Sequence, residues 1–307
     1  MTESARTREG LLFGALGVLA FSLTLPATRA AVPELGSTLV GLGRGVVAAA
    51  LAGALLAIRR ERLPERRHWP RLALVAGGVV VGFPLLSAVA MRSMPASHGA
   101  VLVGLLPAAT AVAAVFRARE RPSVTFWLVS AAGLAAVLAF AAAQGAGKPT
   151  AGDALMLLAI AAAAVGYAEG GALARELGGW RVLCWALVMS VPVLLPILVF
   201  NLDASGLPSH VSLRAWAGFA YVSGVSMFLG FFAWYRGLAL GGVARVSQIQ
   251  LLQPLLTLGW SVLLLGETVE RGTLGAALLV VACVLGSVRS RVQRLPTPES
   301  AAPLKAP

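Results

Sequence analysis

The sequence predicts an all-α polytopic membrane protein with ten transmembrane helices, arranged as two inverted five-helix repeats. Three observations support this fold class. The 307 residues are 58% hydrophobic and only 12% charged, with a mean hydropathy of +0.83, and soluble domains are far less apolar. Apolar segments of spanning length follow one another along the chain, and marked residues recur at an offset of 147 positions. We therefore expect a bilayer-embedded, internally duplicated fold.

A helix needs about 20 apolar residues to cross the hydrocarbon core of a bilayer. Breaks rich in proline, glycine or charge separate the segments that qualify, as in the stretch 59–71. The first segment is longer than the apolar core of a cleaved signal peptide, so we expect it to be retained as a span. The predicted spans, numbered 1 to 10 in chain order, are residues 10–29, 36–58, 71–91, 95–116, 124–143, 153–174, 180–200, 214–235, 244–266 and 272–288.

The basic residues indicate how these spans are oriented. Of the 25 Arg and Lys residues, 19 lie in alternate loops and in the two termini, five lie on the other side, and Arg44 lies within span 2. The positive-inside rule places the richer side in the cytoplasm. We expect a multi-pass protein of a bacterial cell (inner) membrane with both termini cytoplasmic. No motif of nucleic-acid recognition accompanies the net charge of +12, so no nucleic-acid partner is expected.

The internal repeat is marked by a proline and a glutamate in each half. Pro107 lies thirteen residues before Glu120, and Pro254 lies thirteen residues before Glu267. Because each half holds five spans, an odd number, the second copy enters the membrane from the opposite face and the repeat is inverted. Many secondary transporters are built in this way. The predicted units are an N-terminal repeat at 1–147, a C-terminal repeat at 148–290 and a disordered tail at 291–307.

On these residues the chain resembles the drug/metabolite transporter superfamily, and specifically its ten-helix EamA-type exporters. The resemblance covers about residues 10–288 and rests on the doubled proline–glutamate pattern. It implies a central cavity between the halves and the export of small metabolites, amino acids among them. Some relatives carry an Arg in the second helix and a polar stretch in the ninth, which Arg44 and the segment 248–253 match. Glu169 in span 6 departs from the family pattern.

The two prolines are candidate helix kinks. Each removes a backbone donor within a membrane helix, so the carbonyl four residues earlier loses its usual partner. Such a kink either flexes or faces a cavity, or it is static and satisfied by neighbouring helices. Glu120 and Glu267 are expected to have a structural role at the ends of spans 4 and 9.

Span 9 carries amides where span 4 is apolar. Gln250 and Gln253 are three residues apart and share one helix face. Gln253 lies about 12 Å beyond Arg245 along the helix, near mid-membrane. Buried amides need partners, which either a substrate or another helix can supply.

Two charged residues lie within spans. Arg44 is about 12 Å deep from Gly36, and it either binds an anionic substrate or takes part in coupling, or it extends to the outer face as an anchor. Glu169 is about 9 Å from Arg175, and it either carries a coupling proton or binds an amine, or it pairs with a nearby Arg. Their different depths disfavour a direct ion pair between them.

Aromatic residues within the spans have two interpretations. Tyr167, Trp185 and Tyr221 either stack on a ligand or pack against helices and lipid. Trp234 and Tyr235 lie next to the basic loop after span 8 and are expected in the interfacial aromatic belt. Cavity lining is predicted from spans 2, 4, 6, 7, 8 and 9.

Together these features predict a secondary transporter of a small organic metabolite, an amino acid or similar, that works by alternating access. The family resemblance implies that it exports its substrate. No ATP-binding motif, catalytic cluster, cofactor or metal site is apparent, so an enzyme is not expected. The expected partners are the substrate, the bilayer and protons, with a homodimer as an open option. A flippase for a lipid-linked solute is the main alternative. An intramembrane enzyme is a weaker one, because it would need clustered His, Asp or Glu at membrane depth.

Overall fold

The computed structural model describes residues 3–93, 99, 102–143, 150–205, 210–265 and 292–294. These residues are almost entirely helical, as predicted, and they include spans 1 to 9 in whole or in part. Span 10 and Glu267 lie outside the described residues. Within the described part, the helices long and apolar enough to cross a membrane are Ala5–Ile58, Arg66–Ala90, Ala151–Leu177, Gly179–Phe200 and Leu213–Gly241.

Several spans are interrupted by short π- or 3-10-helical segments, so one span can comprise more than one element. Spans 4 to 7 are the helices Leu106–Arg117, Val124–Ala143, Ala151–Leu177 and Gly179–Ser205. Spans 1 and 2 comprise Glu3–Ser22, Thr24–Thr38, the π-helix Leu39–Gly43 and Arg44–Ile58. Span 3 comprises Arg66–His68, Trp69–Val75, the π-helix Ala76–Gly82 and Phe83–Ala90. Span 8 comprises Leu213–Ala220, the π-helix Tyr221–Leu229 and Gly230–Gly241, and span 9 comprises Val243–Ser247, the 3-10 helix Gln248–Leu252 and Gln253–Leu265.

Three of the junctions between spans turn at a single glycine. Gly36, Gly178 and Gly242 have φ angles of +76°, +88° and +92°. Glycine adopts such angles without the steric cost that a Cβ atom imposes. The 54-residue helical stretch Ala5–Ile58 therefore holds two spans, because the helix is broken at Gly36.

The packing of the spans follows the pattern expected for an inverted duplication. Span 1 packs along span 8, and its counterpart in the second half, span 6, packs along span 3. Span 6 also packs on span 4, as span 1 does on span 9, and span 2 packs on its own counterpart, span 7. The extensive contacts therefore join the N-terminal half (spans 1 to 5) to the C-terminal half (spans 6 to 10), and the core lies at this interface.

Two sequence-based expectations are corrected by the fold. Trp234 and Tyr235 are fully buried instead of lying in an interfacial belt, because span 8 turns them towards span 6, where Trp234 packs on Tyr167 with ring centroids 5.4 Å apart. The tail expected to be disordered contains a short strand, Val292–Arg294, which pairs antiparallel with Glu120–Pro122. Backbone pairing after span 4 therefore orders part of a polar, proline-rich segment.

Candidate substrate cavity

A partly enclosed cavity lies at the centre of the interface between the two halves. Its volume is only about 30 Å³, which is close to the volume of one water molecule, so the cavity is narrow. Its described lining comes from spans 1, 2, 3, 4, 6, 8 and 9. This corrects the expectation that span 7 contributes and adds spans 1 and 3. Of the predicted site residues, the structure brings Arg44, Tyr167 and Gln253 together in this lining.

The lining residues of the two halves are related by the repeat. Residues at equivalent positions, 146 or 147 apart in sequence, face the same space. In each equivalent pair the N-terminal half supplies an apolar side chain and the C-terminal half supplies a polar one. The pairs are Phe21 with Tyr167, Val79 with Ser226, and Leu106 with Gln253. We call these three polar side chains the polar wall and the three apolar ones the apolar wall. The lining as a whole is mixed, because the N-terminal half also supplies Thr24 and Arg44 and the C-terminal half also supplies Ala163, Met227 and Phe231.

The helices change their hydrogen-bonding pattern where they border the cavity. Val79 and Ser226 lie in the π-helices of spans 3 and 8, and π-helical turns are frequent at functional sites. Pro107 and Pro254 are each the second residue of an α-helical segment, directly after Leu106 and Gln253. The prolines therefore begin new segments beside the cavity.

The break at Pro254 is satisfied within its own helix. Proline cannot donate to the carbonyl of Gln250, but the backbone N–H of Gln253 does so across the 3-10 segment. As expected, the carbonyl of Gln250 loses its usual donor four residues later. It nevertheless has a hydrogen-bond partner, the backbone N–H of Gln253. Whether either kink flexes remains a prediction.

Arg44 is the charged residue of the cavity. Its relative exposure is 2%, and its Nε and Nη2 atoms have no hydrogen-bond partner among the described residues. Tyr167 from span 6 is close enough to interact with it electrostatically. The described residues that line the cavity include no carboxylate. The side chain does not extend to the surface as an anchor, and two of its three guanidinium nitrogens are without a partner in the described part of the chain.

The amides of span 9 are buried beside this arginine. The Oε1 atom of Gln253 lacks a partner among the described residues, and both amide atoms of Gln250 lack one with hydrogen-bond geometry. Gln250 lies next to Tyr167. Ser226, which sequence reasoning did not single out, forms a hydrogen bond of 2.8 Å with Thr24 across the halves. Part of this polar wall therefore has unused hydrogen-bonding capacity.

Two predicted aromatic ligands lie outside the cavity lining. The hydroxyl of Tyr221 donates a hydrogen bond of 2.8 Å to the carbonyl of Ala20, which joins span 8 to span 1. Trp185 packs half-buried against the core. Both follow the packing interpretation, because the π-helix in span 8 and the position of span 7 direct them away from the central space.

Glu169 also lies away from the cavity lining, at the end of the protein that carries most of the arginines. We call this the basic end; it comprises the loops 59–71, 117–121, 175–181 and 236–245 and the N-terminus. The Glu169 carboxylate forms ion pairs with Arg71 of span 3 and with Arg117 of span 4, whose Nε donates at 2.6 Å. It does not pair with Arg44, in agreement with their different depths. Nothing in the sequence pattern singled out these two arginines from their basic loops.

Glu120 has a structural role, which its hydrogen bonds define. It is fully buried, and its two carboxylate oxygens accept hydrogen bonds from the backbone N–H groups of Val243 and Ala244 at 2.9 and 2.7 Å. These groups open span 9, where the helix dipole favours a negative charge. Arg175 adds an ion pair at 3.5 Å. A residue at the end of span 4 therefore anchors the start of span 9.

Further ion pairs join the two halves at the basic end. Arg181 holds Glu61 in a two-pronged contact at 2.9 Å, and this guanidinium keeps the pKa of Glu61 below its usual range. Glu61 therefore stays ionised at neutral pH. Two more pairs connect the halves, Arg71 with Glu176 and Arg236 with Glu9. No group of three or more His, Cys, Asp or Glu residues in the described part could hold a metal ion.

Comparisons with known proteins agree with this architecture. The model of the EamA-like transporter family matches residues 8–142 and again residues 150–289. An "Uncharacterized transporter YdeK" of Bacillus subtilis (strain 168) is 45% identical over 288 residues, which cover 92% of this chain and 98% of the relative. A solved structure described as "Crystal structure of protein" has the same fold, with a TM-score of 0.69, 20% identity and coverage of 91% of this chain and 98% of that one.

The structural task of Glu120 can be tested by comparing two replacements. Glu120→Ala leaves two buried N–H groups unsatisfied, so we expect it to lower the free energy of unfolding by about 1–3 kcal/mol per unpaired group. Glu120→Gln keeps one acceptor and should have a smaller effect. Thermal unfolding of the purified protein in detergent measures both. Equal stability of the alanine variant and the unmodified protein would contradict the assignment.

Proposed function

Because the chain belongs to the EamA-like transporter family and is a multi-pass membrane transporter, we propose that it is a secondary transporter that exports a small organic metabolite by alternating access. The observation that carries the proposal is the central cavity, which both repeats line with equivalent residues. A cavity at the interface of inverted repeats can open to either side when the halves rock against each other. We assign the basic end to the cytoplasm of a bacterial cell, following the arginine distribution.

The ion pairs at the basic end support a conformation that is closed towards the cytoplasm. Glu169, Glu120, Glu61 and Glu9 each contact a group of the other half there. At the opposite end, the carboxylate of Glu34 accepts hydrogen bonds across the halves, from the backbone N–H and hydroxyl of Ser212. Opening towards the cytoplasm must break the former group of contacts. The partly exposed pairs of Glu61 and Glu9 contribute about 0.2–1 kcal/mol each, whereas the buried contacts of Glu169 and Glu120 cost more to break unless water or protons replace them.

Within this cycle we propose that Glu169 carries the coupling proton. Its side chain is 2% exposed, and both of its arginine partners belong to the other half. Separation of the halves would remove Arg71 and Arg117 and expose the carboxylate to cytoplasmic water and protons. The same contact would then serve as a closure of the basic end and as the site at which protonation is linked to opening.

The transport function is tested by uptake into proteoliposomes that contain the purified protein. A pooled panel of labelled amino acids and other small metabolites is offered with and without an imposed proton gradient. We expect gradient-dependent accumulation of at least one compound, and none in protein-free liposomes. Absence of flux for every compound, from protein shown to be folded, would contradict secondary transport of a soluble metabolite and favour a lipid-linked solute.

The proton-carrying role of Glu169 can be tested separately. Glu169→Gln should abolish the stimulation by a proton gradient and leave substrate exchange without a gradient, because the cavity lining is unchanged. Glu176→Gln is the matched control, since Glu176 shares Arg71 but is 46% exposed. Full retention of gradient-driven flux in the Glu169→Gln protein would rule out this role.

Loss of the Arg71 pairs should shift the protein towards opening at the basic end. The reporter is a cysteine that replaces Ala163 in the cavity lining, in a background in which Cys184 and Cys283 have been removed. Its rate of labelling by an impermeant maleimide, added from the cytoplasmic side, measures how accessible the cavity is from that side. We expect Arg71→Met to raise the labelling rate about fivefold, since this corresponds to about 1 kcal/mol.

Arg67→Met is the control for this measurement, because Arg67 pairs only with Glu65 of its own loop among the described residues. Equal labelling rates in the two variants would argue against a closing role for the Arg71 contacts.

A further inference from the structure

The central cavity contains a buried positive charge without a counter-ion in the described part of the chain. Nε and Nη2 of Arg44 lack hydrogen-bond partners, although guanidinium groups at the basic end of the protein pair with carboxylates. A charge buried at membrane depth is costly unless it is paired. No carboxylate is among the described residues that line the cavity. An anion that enters the cavity would supply the missing partner.

The groups around Arg44 define the rest of a binding site. Gln253 has an unpartnered Oε1 atom, and it lines the same space as Tyr167 and Ser226. In this polar wall the side-chain N–H group of Gln253 and the hydroxyls of Tyr167 and Ser226 can donate hydrogen bonds to a carboxylate next to the charge, whereas the Oε1 atom of Gln253 can only accept one. Arginine is well suited to this role because its planar fork binds a carboxylate through two parallel hydrogen bonds.

The apolar wall favours a hydrocarbon group. Phe21, Val79 and Leu106 occupy the positions equivalent to the three polar side chains, and burial of apolar surface against them is favourable. Because the volume of the cavity is only about 30 Å³, it must widen as the solute enters.

From these observations we propose that the transported solute is a small amphipathic organic anion, whose carboxylate binds Arg44 and whose hydrocarbon part packs on Phe21, Val79 and Leu106. This substrate class rests on the proposed transport function and deepens it. The site disfavours amines and other cations, because Arg44 repels them and Glu169, the carboxylate considered for that role, lies in ion pairs outside the cavity lining.

The test uses compounds that share one carbon skeleton and differ in charge. Binding to the purified protein is measured by equilibrium dialysis for 4-methylpentanoate, its uncharged amide, the amino acid leucine and the cation 3-methylbutylamine. Butanoate and 3-phenylpropanoate extend the size range. We expect at least one of the acids to bind saturably, leucine to bind more weakly than 4-methylpentanoate, and the amide and the amine not to bind.

Variants connect binding to the cavity. Arg44→Gln should weaken binding of the acid at least about tenfold, because a hydrogen bond to a charged group contributes roughly 1.5–3 kcal/mol. Arg44→Lys should restore part of the affinity, since it keeps the charge but not the fork. Arg62→Gln, which removes an exposed arginine at the basic end, is the matched control and should bind normally. Gln253→Leu, which copies the equivalent Leu106, should weaken binding and leave the fold intact.

The outcomes separate the substrate class from the transport function. Failure of all three acids to bind, tighter binding of leucine or of the amine, or unchanged affinity in a folded Arg44→Gln protein would overturn the anion proposal. If the pooled uptake assay then shows flux of another class of compound, secondary transport stands. Binding of the acids without flux of any compound would instead overturn transport and leave Arg44 as an anion site.

Discussion

The structure depends on one constraint: each half must bury its apolar surface against the other half. Span 1 packs on span 8 and span 6 packs on span 3, so the two repeats share one hydrophobic core. Under the proposed mechanism the halves tilt relative to each other, and access to a space between them, such as the cavity around Arg44, would change with that tilt. The core of the fold and the proposed transport site then lie at the same interface.

A duplicated backbone carries different chemistry in its two copies. The π-helices of spans 3 and 8 and the prolines of spans 4 and 9 occupy equivalent places. The side chains at these places nevertheless differ in polarity, as Leu106 and Gln253 do. Under the proposed mechanism the similar backbones would give two related open states, and the unlike side chains would give a bound solute one orientation. The two properties are not independent, because Phe21, Val79 and Leu106 of the lining also belong to the hydrophobic core.

The sequence predicted the spans that the structure describes, 1 to 9 in whole or in part, together with the two repeats and three residues of the cavity lining, because spanning length and residue offsets can be read from the chain itself. It also gave a structural role for Glu120, although the partner of Glu120, the start of span 9, depends on packing between the halves. The burial of Trp234 was not predictable from its position beside Arg236. A belt residue and a core residue have the same spacing from a helix end, and only the direction of the helix face distinguishes them.

The partners of Glu169 were hidden for a related reason. Arg71 and Arg117 belong to loops that contain many arginines, and the positive-inside distribution makes all of them look equivalent. Only the approach of spans 3 and 4 to span 6 selects these two. The repeat offset, in contrast, could have been used further, because it relates Phe21 to Tyr167 and Val79 to Ser226 from the sequence alone. Applying the offset to every polar residue within a span would have outlined the two walls of the cavity.

Arg44 and Glu169 show how charge is divided in this protein. The glutamate is paired with two arginines of the other half, and under the proposed mechanism these pairs would separate when the halves move. The arginine has no carboxylate beside it among the described residues of the cavity, and this is why we propose an anionic solute as its partner. A pairing between the two charges would have left neither proposed role possible. Their different depths would keep the glutamate for closure of the basic end and the arginine for the solute.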